Sequence, residues 1–142
     1  MRHIAAGFGA LVSALLLCAG AAESFAPAVP PQSNSATMRF EPRAVPKAKT
    51  RTVAVVVLSS GDAAVPATSA NCRCILEIVK EPNMVRVPVA SPMRANGRST
   101  RELAADVTFP AAGTYVLALT CSPTQSGTFD AFQKTFRTKV SS

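Results

Sequence analysis

The chain has 142 residues, with 15 Lys and Arg against 8 Asp and Glu, a formal charge of +7. It holds 11 prolines, four cysteines, no tryptophan and a single histidine, His3, which lies in an apolar leader. The rest of the chain therefore cannot build a Ser-His-Asp triad, a Cys-His dyad or a His-ligated zinc or copper site, and no enzyme is expected.

Residues 1–22 read as a signal peptide. Arg2 and His3 give a basic start, residues 4–17 are apolar or small, and Ala19, Gly20, Ala21 and Ala22 suit a cleavage site. The apolar run is too short for a membrane span, so none is expected after cleavage. Leu17, not a small residue, precedes Cys18, which argues against a lipid-modified cysteine. Residues 23–37, with Pro27, Pro30, Pro31, Ser33 and Ser35, read as a disordered tether. Residues 38–142 are the expected domain.

Within it, 38–41 reads as a short strand stopped by Pro42. Residues 52–59, TVAVVVLS, are β-branched on both faces, the mark of a strand buried on two sides. Residues 61–71 are a loop. Cys72–Lys80 alternates, with Cys72, Cys74, Leu76 and Ile78 on one face. A Glu81-Pro82-Asn83 turn follows. Residues 84–89 place Val85, Val87 and Val89 on one face, and Pro88 makes this an edge strand. A loop over 91–97 leads to a strand over 99–109, with Leu103, Ala105, Val107 and Phe109 inward. After a turn, Tyr115, Leu117, Leu119 and Cys121 share one face of a strand over 114–121. In 129–140 the spacing of Phe129, Phe132 and Phe136 is helical, but Thr128, Thr135 and Thr138 favour a strand, expected with a bulge or bend.

The sum is an all-β antiparallel sandwich of about seven strands. Gly113, two residues before Tyr115 at a strand opening, resembles the tyrosine corner of immunoglobulin-like β-sandwich domains. The resemblance implies a fold and no activity. Antibody-type features are missing: Leu117 stands where a Cys would follow Tyr115, and the third strand has no Trp. It also implies that Cys72–Lys80 and 114–121 are antiparallel neighbours, so that Cys72, Cys74 and Cys121 converge at one end.

For these cysteines one reading is a disulfide from Cys121 to Cys72 or Cys74, in keeping with an oxidising compartment. The odd thiol would then bond another copy, as a disulfide-linked dimer, or be reactive. A second reading is a Cu(I) site, the only cofactor entertained, using Cys72, Cys74 and Cys121 with Met84 and Met93. A third is thiol exchange by the Cys72/Cys74 pair.

Arg39, Arg43, Lys47, Lys49 and Arg51 form one basic group, and Arg86, Arg94, Arg98 and Arg101 a second. The second is the candidate patch for an anionic partner, against a plainer role in solubility or in guarding a sheet edge. Nucleic acid is not expected, because the compartment is wrong and aromatics are scarce beside the basic residues. The leading expectation is a small exported protein, periplasmic or secreted. It would be a non-catalytic binding or accessory module that meets a protein or anionic surface through its edges and loops. The alternative is periplasmic Cu(I) handling.

Overall fold

The computed structural model describes residues 34–142; the expected leader and the tether as far as residue 33 lie outside them. Eight strands follow in order: β1 (Ser35–Glu41), β2 (Arg51–Ser59), β3 (Cys72–Lys80), β4 (Val85–Val87), β5 (Arg94–Ala95), β6 (Glu102–Thr108), β7 (Gly113–Pro123) and β8 (Phe132–Val140). They form two antiparallel four-stranded sheets, ordered β1-β2-β6-β5 and β4-β3-β7-β8.

Alternation decides which residues enter the core. Leu76 and Ile78 of β3, Leu103, Ala105 and Val107 of β6, and Leu117 and Leu119 of β7 are all buried there. β2 is covered on both faces, as its β-branched run predicts. Ala54, Val56 and Leu58 enter the core, while Val55 is fully buried on the opposite face. Arg39 pairs opposite Val55, and its guanidinium reaches Glu102 of β6 at 2.9 Å. The Arg39 side chain thus crosses β2 and roofs its outer face. Its stem supplies apolar cover and its head stays polar.

The expected tyrosine corner is present. Tyr115 is buried, its Oη donates to the Ala111 carbonyl at 2.7 Å, and its ring meets Phe109 edge-on at 4.7 Å. Gly113 opens β7 at φ +143°, and a Cβ there would lie 2.9 Å from Lys80 Cε. Backbone conformation and space both favour glycine.

Four expectations need correction. β1 begins at Ser35, inside the segment assigned to the tether, because Ser59 and Leu58 of β2 offer partners to Ser35 and Ala36. β4 is three residues long, and Val85 is exposed while Val87 is buried. The expected loop at 91–97 contains β5, held by Ala104 and Leu103 of β6. β8 is a strand, but its ladder runs without a bulge from Phe132 opposite Cys121 to Val140 opposite Gly113. Phe132 and Phe136 share a strand face, and Phe129 packs on Phe132 from outside the strand.

Candidate functional site

Cys74 and Cys121 lie directly opposite each other on β3 and β7, with Cα atoms 4.1 Å apart. The Cys74 carbonyl accepts the Met93 N–H at 2.9 Å on the other side of β3. The pair is therefore a non-hydrogen-bonded one, the type that brings side chains closest. The two cysteines form a disulfide across a sequence separation of 47. Register makes the choice that the sequence leaves open, because Cys72 faces Pro123.

Cys72 is free and 5% exposed, with Sγ 3.6 Å from the Cys74 Sγ. All three sulfurs lie within 4.8 Å of one another. Burial pushes the Cys72 thiol up to about 11. At neutral pH it is protonated, which makes it a poor nucleophile. Among the described residues no cysteine is exposed to carry the expected intermolecular bridge.

Met93 is buried beside this cluster, its N–H bonded to Cys74. Met84 is not brought there. It sits in the β3–β4 turn, 58% exposed, beyond the far end of β3 and so about 25 Å away at ~3.3 Å per residue.

The second arginine group does not form one free patch. Arg86 lies on β4 of one sheet, 4.0 Å from Glu77. Arg94, on β5 of the other sheet, meets Asp106 at 3.6 Å, and Asp106 also holds Arg51 at 3.0 Å. Arg98 bonds Glu41 at 2.9 Å, beside Arg39. Arg101 is exposed and has no ion pair among the described residues. Arg94 and Arg98 thus each hold a carboxylate of the sheet that they border, shared with Arg51 and Arg39 respectively. The hydrogen bond to Glu102, above all, raises the Arg39 pKa.

Unpaired charge gathers elsewhere. A shallow groove of about 470 Å³ lies between Phe40, the 43–46 segment and the end of β8, lined also by Arg137, Thr138 and Lys139. Arg43 and Lys139 have no ion pair among the described residues, and Arg137 is held by Glu81. The apolar part of the groove includes Val45, which is 61% exposed. The sequence does show Arg43 as basic, but not its neighbour Lys139, which is 96 positions away and arrives through the Lys47–Ser141 bridge.

No protein-family model and no curated protein matches this sequence. Among solved structures, a DUF4426 family protein from Pseudomonas aeruginosa PAO1 superposes with a TM-score of 0.53 and 11% identity, covering 77% of this chain and 91% of its own. The fold is immunoglobulin-like. Two further structures are CopC from Methylosinus trichosporium OB3b (TM-score 0.47, 14% identity, 75% and 94% covered) and the Lin-41 filamin domain (0.39, 18%, 78% and 93%). Only the first of these likenesses bears on the fold, and on nothing else.

Proposed function

We propose that this immunoglobulin-like domain is an exported, non-catalytic binding module that takes an anionic partner in the groove between the 43–46 segment and β8. The observation that carries this reading is the contrast in pairing. Arg43 and Lys139 are unpaired beside exposed apolar surface, whereas Arg94 and Arg98 already hold carboxylates. A cation without a partner keeps its field for a ligand. The Cys74–Cys121 disulfide fits an oxidising compartment.

The test is retention of the mature protein on a sulfated matrix against a salt gradient. Arg43→Glu with Lys139→Glu should elute at clearly lower salt than Arg86→Glu with Arg101→Glu, which carries the same change in net charge. Equal losses from the two pairs would show that only net charge matters and would remove the groove reading.

A second reading rests on the sulfurs. Three thiolates around one ion with metal–sulfur bonds of about 2.3 Å sit about 4 Å apart, and the three here lie within 4.8 Å. Once the disulfide is reduced, Cys72, Cys74 and Cys121 fit a soft ion such as Cu(I), with Met93 adjacent. The ion would supply the charge that deprotonates Cys72. Reduced protein titrated anaerobically with Cu(I) should take up one equivalent, and the oxidised protein and Cys72→Ser none. Equal uptake by all three would refute a site at these sulfurs.

A further inference from the structure

The direction of the backbone groups along β8 follows from bonds at its neighbours. The Glu81 N–H bonds the Thr114 carbonyl, so the even residues of β7 address β3 and the odd ones address β8. The register of β7 with β8 then turns Phe132, Lys134, Phe136 and Thr138 toward β7. Gln133, Thr135, Arg137 and Lys139 direct their N–H and C=O groups away from the sheet. Ser141 continues that series, and its outward groups are taken: its N–H by Pro46 and its carbonyl by the Ala48 N–H. The outward backbone groups of Gln133, Thr135, Arg137 and Lys139 have no partner among the described residues. This is an open edge of about 20 Å at ~3.4 Å per residue.

The chain itself shows that this edge accepts a strand. Around Lys47 it pairs in parallel with Ser141, whereas residues 43–45 make no backbone bond to β8 and border the groove beside Arg137 and Lys139. The space into which a further strand would fit is the same space that Arg43, Lys139 and Val45 border.

We infer that β8 takes an extended acidic peptide segment of a partner protein by strand addition, its carboxylates set against Arg43 and Lys139. The inference rests on the groove reading above and names its ligand. Backbone hydrogen bonds supply affinity in such docking, and side chains supply selection. Lys134, Arg137 and Lys139 also serve the ordinary purpose of edge charges, which is to repel another basic edge. A second copy of this chain would set those cations against themselves. An acidic strand turns the same charges into attraction.

The probe is an octapeptide alternating Glu or Asp with Val, offered to isotope-labelled mature protein, with heparin as a polyanion that has no peptide backbone. The peptide should protect the amides of Gln133, Thr135, Arg137 and Lys139 from hydrogen exchange. N-methylation of alternate peptide residues, in one of its two phases, should weaken binding by about ten-fold or more, since it deletes donors and keeps charge. Lys139→Glu should weaken the unmodified peptide as well. Binding without β8 protection, or indifference to both methylation phases, overturns strand addition. Heparin binding with no peptide binding also overturns it and leaves the groove reading standing. If neither ligand binds, both fall. β8 protection that rises with protein concentration alone would identify a second copy as the occupant and overturn the acidic peptide.

Discussion

Cys72 is the residue whose chemistry is most governed by its surroundings. Its thiol lies beside a disulfide, yet burial holds it protonated with a pKa of about 11, against an ordinary value of 9.0. The native state therefore keeps a proton that the unfolded chain gives up earlier. Its contribution to stability is complete below about pH 9 and is lost as pH rises toward about 11. Urea unfolding of the oxidised protein should show wild type losing stability relative to Cys72→Ala across that window. A constant difference between the two would contradict a buried, protonated thiol. Tyr115 illustrates the opposite case, a residue whose role is legible from spacing alone. Its bond to Ala111 contributes about 1 kcal/mol, the usual net value of a buried hydrogen bond.

Among the elements, the strands legible in the sequence are β2, whose β-branched run marks burial on both faces, and those with one buried face. β3, β6 and β7 show apolar residues at every second position, and the structure buries those residues. β8 was legible as a strand, although the run from Phe129 to Phe132 suggested a bulge or bend, because Phe129 packs on the strand without belonging to it. β5 and the start of β1 were hidden for a different reason. Arg94 and Ala95, like Ser35 and Ala36, carry no pattern of their own and become strand because a neighbour offers a ladder. The partners of the arginines are hidden in the same way. Arg98 and Glu41 are 57 residues apart and Arg39 and Glu102 are 63 apart, so their pairing exists only after β1, β2 and β6 assemble. Arg39 crossing Val55 also explains why β2 needs no second layer of chain on its outer face.

Across the whole molecule, the two ends of the sandwich differ in chemistry. One end is closed by sulfur. A disulfide over this separation is worth about 4 kcal/mol by the loss of chain entropy in the unfolded state. The other end, where the chain beside Phe40 meets the finish of β8, carries unpaired cations at an open strand edge. Cys74–Cys121 is a staple with Cys72 as a protonated spare, and the basic edge at the opposite end is the proposed binding surface. Trypsin cuts after Arg73 and so separates Cys72 from Cys74. The decisive measurement is a mass spectrum of a non-reduced tryptic digest of the mature protein, alkylated under denaturing conditions. The expected result is the peptide 74–80 linked to 102–134, with alkylated Cys72 in 52–73. Linkage of 52–73 to 102–134, or three alkylated cysteines, would contradict it, and the latter would turn attention to the sulfurs as a metal site.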